Sequence, residues 1–179
     1  MKPAQILLCA IFVLGGLSGC STTPTKSPDV TGSVRQSLTA AGLKDVSVSQ
    51  DRDKGVVTLG GHVAADAEKA QAESIAASQA GGQVIANEIA IVPQGAESQA
   101  KDINSDVDKG IRSNLDAALI QNGLNKTVKY DVMNGVVTLT GQVNSEALRN
   151  QAAQIAAGVP YQQQVVNELQ VKDQKATSN

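Results

Sequence analysis

Aromatic residues are nearly absent from this sequence of 179 residues, which has no tryptophan, one phenylalanine and two tyrosines. Phe12 lies in an amino-terminal apolar run, so Tyr130 and Tyr161 are the only aromatic residues after it. Proteins that bind single strands or RNA need aromatic platforms on which bases stack. The formal charge of -2 also provides no basic field for phosphate backbones. The composition argues against a nucleic-acid partner.

Cysteine and histidine are equally scarce. Cys9 and Cys20 both precede the main part of the chain, so no disulfide can join its segments, and no histidine–cysteine cluster exists to hold zinc. His62 is the single histidine, and its counterpart in the repeat described below is Gln142, which favours an exposed polar position over a general base. Because catalysis needs several polar groups brought together, we expect a protein that is not an enzyme and has no cofactor.

The first twenty residues have the pattern of a secretory signal peptide. Lys2 precedes an uncharged apolar run over residues 6–17, which is too short for a comfortable membrane-spanning helix. The run ends in Leu17-Ser18-Gly19-Cys20, which resembles the bacterial lipobox, whose cysteine is acylated after cleavage. The alternative is an ordinary signal peptide with an incidental cysteine. We expect residues 1–19 to be a lipoprotein signal peptide and Cys20 to be lipidated.

An acylated Cys20 would hold the mature chain at a membrane, since each buried methylene contributes about 0.8 kcal/mol. By resemblance to the bacterial sorting rule, Ser21 after the cysteine implies delivery to the outer membrane of a Gram-negative cell, facing the periplasm. Residues 20–29 are rich in serine, threonine and proline, which predicts a flexible tether.

The rest of the chain contains one short stretch twice, eighty positions apart: Gly55-Val56-Val57-Thr58-Leu59 and Gly135-Val136-Val137-Thr138-Leu139. At the same offset, further pairs agree without a gap: Gly61 with Gly141, Ala72 with Ala152, Ile75 with Ile155, and Asn87-Glu88-Ile89 with Asn167-Glu168-Leu169. Upstream, the agreement needs one residue inserted in the second copy. Two copies of one small domain explain this pattern, and their cores should be thin.

The first copy, residues 30–93, predicts the element order αββαβ. An apolar stripe predicts a helix that Asp29 caps and Gly42 ends. A hairpin follows, and Gly60-Gly61 in its second strand indicates a bulge or a close backbone approach. Residues 66–80 form an alanine-rich helix, and a last strand ends before Pro93.

The second copy, residues 103–172, follows a linker over residues 94–102 and precedes a polar tail over residues 173–179. Its first helix has apolar residues every four positions: Ile103, Val107, Ile111, Leu115 and Leu119. The first two of these can pack on the first copy, on a membrane, or on nothing. Asn134-Gly135 is the strongest hairpin signal in the chain.

Taken together, the Gly-Val-Val-Thr-Leu-x-Gly-x-Val hairpin, the alanine-rich helix and the closing Asn-Glu-Ile or Asn-Glu-Leu strand resemble the BON domain. The resemblance covers residues 30–93 and 103–172. It implies an α+β fold in which each copy has a three-stranded mixed sheet packed against two helices. One departure is the usual Gly-Val before the third strand, replaced by Gly81-Gly82 and by Val159-Pro160-Tyr161, which affects the shape of that loop.

With the cysteine motif, the chain is similar to the outer-membrane dual-BON lipoproteins and, less closely, to the periplasmic dual-BON proteins induced by osmotic stress. The resemblance implies binding to phospholipid surfaces and support of envelope integrity or stress tolerance. In that lipoprotein family the first helix of the second domain supplies most of the lipid contact, and Lys109 to Gln121 corresponds to it. The alternative is a protein-interaction scaffold that binds envelope proteins without direct lipid binding.

Charge also separates the copies. Residues 29–93 hold 5 basic and 8 acidic residues, whereas residues 101–172 hold 7 of each, so anionic phospholipid should repel the second copy less. Lys109 and Arg112 share a helix face, and Leu119 and Ile120 offer apolar contacts; alternatively Leu119 is core and the cations are an ordinary solvated face.

Two sets of aspartates are explained by local structure without a ligand. Asp51 and Asp53 favour a solvated turn over a cation site, so we expect no metal. Asp102, Asp106 and Asp108 lie near the start of the long helix, where negative charge suits the helix dipole.

Overall fold

The computed structural model describes residues 26–93 and 95–172. Each copy of the repeat folds into a sheet with two helices on one face, which confirms the mixed α+β class. The first copy contains α1 (Thr31–Ala40), β1 (Val46–Asp51), β2 (Val56–Val63), α2 (Asp66–Gln79), β3 (Val84–Asn87) and β4 (Ala90–Ile91). The second contains α3 (Glu97–Gln121), β5 (Val128–Met133), β6 (Val136–Val143), α4 (Glu146–Ala157), β7 (Gln164–Asn167) and β8 (Gln170–Val171).

Several expectations fall on residues that the structure does not describe. The signal peptide, the lipidated Cys20, most of the tether and the polar tail all lie outside the described ranges. The last residues of the predicted tether, however, are fixed to the first copy rather than free. The backbone N–H of Ser27 donates to the carbonyl of Arg52 at 2.9 Å, and Lys26 pairs with Asp53 at 3.2 Å.

Both sheets have the same mixed topology. The hairpin strands β1 and β2 are antiparallel, and β3 and β4 both run parallel to β2; the second copy repeats this with β5 to β8. The predicted single last strand is therefore two short strands. The break at Glu88 lies opposite Gly60 and Gly61, where the backbone of β2 is itself bent, and it directs the side chain of Ile89 into the core.

A glycine in β2 allows a close backbone crossing, as the sequence predicted. Gly61 has φ +88, and a Cβ at this position would overlap the carbonyl oxygen of Asp45. Gly141 has φ +119 and would meet the carbonyl oxygen of Thr127 in the same way. Only glycine fits at this crossing in either sheet.

Two separate cores hold the helices against the sheets. In the first copy, Val34 and Leu38 of α1 meet Ala72 and Ala76 of α2 at almost zero exposure. Because the α2 face is alanine, the helix lies close to the strands. The second copy repeats the arrangement with Ala152 and Ala156 of α4, under the long helix α3.

The long helix α3 begins earlier than expected. Residues 97–102 belong to it, so the predicted linker over residues 94–102 is mostly helix. Good helix formers such as glutamate, glutamine, alanine and lysine continue the helix without core contacts. Ile111 and Leu115 are fully buried, whereas Ile103 is 63% and Val107 38% exposed. The first two positions of the predicted stripe thus lie outside the core.

The loop before β7 keeps one backbone feature of its counterpart in the first copy and loses another. Tyr161 has φ +66 and occupies the place of Gly81, which has φ +60. The positive φ of Gly82 has no counterpart at Gln162. A tyrosine, 80% exposed, therefore takes a backbone conformation that glycine adopts more easily.

The repeated Asn-Glu-Ile/Leu segment ties each sheet to its helix. The side-chain amide of Asn87 donates to the carbonyl of Lys69 in α2 at 3.4 Å, and that of Asn167 to the carbonyl of Arg149 in α4 at 3.2 Å. The backbone N–H of Glu88 donates to β2 and that of Glu168 to β6, and the side chains of Ile89 and Leu169 are buried. This segment fixes the position of the strand break in both copies.

Candidate functional site

The two copies face each other through the sheet surfaces that the helices do not cover. Four apolar side chains form a small cluster between them: Val56, Ala86, Val136 and Val166. Neighbouring residues of a strand point to opposite faces, so Val57 fills the helix-side core while Val56 packs against the other copy. This arrangement leaves the helices on the outside of the molecule.

The contact between the copies is approximately two-fold symmetric. Lys54 of the first copy pairs with Glu168 of the second at 2.5 Å. The equivalent of Lys54 is Asn134, whose side chain donates at 2.7 Å to the carbonyl of Glu88, the equivalent of Glu168. The same two positions of each repeat therefore recognise each other across the contact. The hydrogen bond to Glu168 raises the pKa of Lys54.

Glu88 is half-buried at this contact. Burial raises the pKa of its carboxyl, and the nearby charges of Asp131, Glu168 and Asp108 raise the pKa further. No ion pair of Glu88 occurs within the described ranges. The carboxylate form of this residue is therefore unfavourable where the copies meet.

The edge of β3 is closed by a side chain of the other copy. Gln164 accepts from the backbone N–H of Asn87 at 2.9 Å and donates to the carbonyl of Ile85 at 2.6 Å. These backbone groups face away from β2, so the glutamine amide occupies the place where a further strand would pair. Arginines from the helices also contact edge strands: Arg35 donates to a carbonyl of β1, and Arg112 to the carbonyl of Val132 in β5.

The residues proposed for lipid contact lie on α3, but they do not form one surface. Lys109 has a side chain that is 68% exposed and pairs with Asp106 at 2.9 Å. Arg112 is turned toward the sheet, where it contacts Val132 and lies 3.6 Å from Asp131. The two cations share one side of the helix, yet only Lys109 points fully into solvent.

Leu119 must be removed from the proposed lipid surface. It is fully buried beside Ile111 and Leu115, so the alternative in which it belongs to the core is the one observed. Ile120, in contrast, is 54% exposed. It follows Lys109 by eleven residues, or about three full helical turns, so both lie on the same side of α3 about 16 Å apart.

Asp108 has a role that the helix-dipole explanation missed. It lies three turns after the start of α3 and is only 7% exposed. Its carboxylate accepts from the backbone N–H groups of Asn134 at 2.9 Å and Gly135 at 2.8 Å, which holds the hairpin turn between β5 and β6. That turn has positive φ at both residues, as the Asn-Gly pair predicted.

A cleft of about 520 Å³ lies between the copies. The first copy contributes the ends of β2 and β4, and the second contributes α3 and the hairpin of β5 and β6. Among its lining residues are His62, Ala90, Val92, Lys101, Arg112 and Met133. Arg112, expected on a lipid-facing surface, is thus part of this cleft.

The sequence contained a signal for this cleft. Lys101, Ser105, Asp108 and Arg112 recur at spacings of four, three and four, and Leu115 and Leu119 continue the same face. In the amino half of α3 this face borders the cleft. In the carboxyl half it covers the sheet.

The remaining polar candidates lie apart from one another in the described part of the chain. His62 is exposed at the end of β2, and no hydrogen bond from its imidazole occurs in the described part of the chain. Asp51 accepts from the backbone N–H groups of Asp53 and Lys54, which makes it part of a turn. Among the described residues, no group of histidine, cysteine and acidic side chains is placed to hold a metal ion.

Comparison with known proteins identifies the repeated unit. The family model of the BON domain matches residues 27–93 and 107–173. Osmotically-inducible protein Y of Escherichia coli (strain K12) is 29% identical over 132 residues, which are 73% of this chain and 64% of that protein. The match therefore spans less than two-thirds of that relative's length.

Two solved structures of CdsD, a structural protein of the type III secretion system of Chlamydia trachomatis, align with 79% of this chain. The identity is 17% and the TM-score 0.32 in both cases, and the alignments cover 67% and 63% of those chains. A likeness at this TM-score carries no argument about fold or function.

Fold and contacts together define a protein of two repeated α+β domains joined face to face. The family model covers most of the chain, and the chain belongs to the BON-domain family, which as a family is not enzymatic. Within residues 26–93 and 95–172, no helix is long and apolar enough to cross a membrane.

Proposed function

We propose that this protein is an outer-membrane-anchored lipoprotein facing the periplasm, whose second BON domain binds anionic phospholipid and thereby supports envelope integrity or stress tolerance. The lipobox-like ending at Cys20 supports the anchor, and the family supports a binding role without catalysis. The name of the Escherichia coli relative, which describes a protein induced by osmotic change, supports the link to stress.

The observation that carries this proposal is the uneven distribution of exposed apolar side chains. Six large apolar residues of the described chain are exposed, and five belong to the second copy or its long helix: Ile103, Val107, Ile120, Met133 and Tyr161. The first copy exposes only Val84. Met133 lines the cleft between the copies, whereas the other four lie outside it, where a membrane can reach them.

The outer side of α3 offers the best contact surface. Lys109 and Ile120 lie on one side of the helix, and Lys126 and Lys129 follow as exposed cations beyond its end. Lipid head groups attract each such cation by about 1 kcal/mol at most, and salt screens this attraction. The second copy has no net charge, whereas the first has three excess acidic residues and would be repelled.

A contact of this size is weak by itself, and the tether makes it sufficient. One cation and one half-exposed isoleucine supply roughly 2 kcal/mol, less than the ~4 kcal/mol that corresponds to a millimolar dissociation constant. A chain anchored by Cys20 is held near the surface at millimolar effective concentration. Lipidation and the α3 surface would therefore act together.

Limited proteolysis on vesicles tests this proposal with residues 21–179 attached through their amino terminus to a vesicle lipid. Anionic vesicles should protect α3 from proteolysis, while zwitterionic vesicles should not. Lys109→Glu and Ile120→Gln should each reduce that protection several-fold. Lys44→Glu, the same charge change at an exposed lysine of the first copy, serves as the control. Equal protection by both vesicle types would contradict the proposal.

A scaffold that recruits proteins by strand addition is the less favoured function. Gln164 closes the edge of β3, and arginines contact the edges of β1 and β5. Edges that are filled in this way resist pairing with another chain. Crosslinking in cells that gave discrete protein adducts from these strands would favour the scaffold.

A further inference from the structure

The cleft between the copies has the dimensions and the lining of a small-molecule site. Its volume of about 520 Å³ lies within the usual range for ligand pockets. We propose that it binds a single small amphiphile that combines one anionic group with one short apolar chain, such as a medium-chain fatty acid. This site is separate from the membrane contact proposed above and does not depend on it.

Cations border the cleft on the side of α3. Lys101 forms no hydrogen bond or ion pair with any described residue, so its ammonium group is available to a ligand. Arg112 uses one nitrogen for the carbonyl of Val132, and its planar fork has further N–H donors. A carboxylate or phosphate is the group that such donors bind best.

The one acidic side chain that lines the cleft is already occupied. Both oxygens of Asp108 accept backbone N–H groups of the hairpin turn, at 2.8 and 2.9 Å. The carboxylate of Asp108 therefore stabilises that turn. Because Asp131 lies 3.6 Å from Arg112, the unpaired ammonium group of Lys101 is the charge that favours an anion over a cation.

Apolar residues form the opposite wall. Ala90 and Val92 come from the end of the first copy, and Met133 comes from the hairpin of the second, whereas the side chain of Val132 is fully buried in the second core and offers no apolar surface to a ligand. Met133 is 47% exposed, and its flexible thioether adapts to ligands of irregular shape. An alkyl chain would lie on this wall with its anionic group at Lys101 and Arg112.

Apart from Asp108 and Arg112, which bond the hairpin, the wall formed by α3 adds little to its own copy. α3 is 25 residues long, whereas the equivalent helix α1 has 10. The apolar residues of its first half, Ile103 and Val107, stay exposed, so this half adds little to the second core. What it does is close one side of the cleft, which points to a role in binding.

The test is an NMR titration of residues 21–179 with decanoate below its micelle concentration. We expect saturable amide shifts confined to α3 around Lys101 and to the strands that form the apolar wall. Decanol, which has the same chain without the charge, should bind at least tenfold more weakly, and acetate should cause no saturable shift. Shifts on the outer side of α3 or spread through both cores would overturn the proposal.

Matched variants separate this site from the membrane contact. Lys101→Glu should weaken decanoate binding about tenfold and leave vesicle protection unchanged, whereas Lys109→Glu should do the reverse. Met133→Ser should weaken both decanoate and decanol. All three side chains are exposed, so the variants should fold. Unchanged decanoate affinity in Lys101→Glu would rule out the cleft as the site, whatever the vesicle result.

Discussion

Gly61 and Gly141 show how one residue type can be required at the same place in both sheets. Each has a positive φ, and each lies against a backbone carbonyl that a side chain would overlap. Gly32 in α1 provides a contrast, since no atom lies within 4 Å of the position of its Cβ. The room at the Cβ position and the backbone φ therefore distinguish Gly61 and Gly141 from Gly32.

Gly61→Ala should therefore lower the free energy of unfolding by about 3 kcal/mol, because strain and overlap add. Gly32→Ala, the matched control, should raise it by about 1 kcal/mol through helix propensity. Urea unfolding followed by circular dichroism measures both. Similar effects of the two substitutions would contradict the close crossing.

Tyr161 gives a second test at a single residue, because it adopts the conformation of Gly81. Tyr161→Gly and Tyr161→Ala both remove the ring, but only glycine relieves the positive φ. We expect the glycine variant to be more stable than the alanine variant by about 1 kcal/mol, the reverse of the order at an ordinary exposed site. A higher urea midpoint for the alanine variant than for the glycine variant would show that the backbone at Tyr161 is not strained.

At the level of the elements, α3 combines a structural role with a surface role. Its carboxyl half fills the second core, and its amino half carries Asp108, which holds the hairpin turn. The equivalent position in the first copy is Ser27, which precedes α1 and contacts its hairpin through a backbone N–H bond to the carbonyl of Arg52, without a carboxylate. The support of the hairpin by α3 is thus a property of the second copy.

Asp108→Ala should destabilise the protein by about 2 to 3 kcal/mol, since two buried N–H groups would lose a charged acceptor. Asp106→Ala is the control, because its carboxylate pairs with Lys109 in solvent and should contribute less than about 1 kcal/mol. Chemical unfolding compares the two variants. A small effect of Asp108→Ala would mean that the turn holds its own shape.

The sequence predicted those parts of the fold that repeat. Element order, hairpins, alanine faces and the glycine crossing all follow from local patterns that occur twice. It did not predict the break at Glu88, because apolar residues on both sides read as one strand. Leu119 was ambiguous, since an apolar residue at the edge of a stripe suits either a core or a surface. The spacing of polar residues on α3 marks one wall of the cleft, but the cleft requires both copies, and no local pattern describes their contact.

At the scale of the whole molecule, the contact between the copies determines which surfaces remain free. The apolar cluster of Val56, Ala86, Val136 and Val166 brings the sheets together. The ion pair between Lys54 and Glu168 fixes their relative position. The helices consequently face outward. Glu88 is the unfavourable member of this contact, because burial and nearby carboxylates raise its pKa.

Glu88→Gln should therefore stabilise the protein in a pH-dependent way. A carboxyl with a raised pKa in the folded state costs stability once pH exceeds the unfolded value of about 4.3, and the cost is complete above the folded pKa. The Tm of the variant should exceed that of the wild type at about pH 7, and the difference should vanish near pH 4. Glu146→Gln, at an exposed glutamate, should show no such trend.

The central claim is that the outer side of α3, in the second copy, meets anionic phospholipid. Residue-resolved NMR of residues 21–179, attached through their amino terminus to a lipid of anionic nanodiscs, tests it most directly. Line broadening should begin at Lys109 and Ile120, spare the first copy, and disappear when the nanodiscs are zwitterionic. Broadening centred on the first copy, or equal with both lipids, would contradict it.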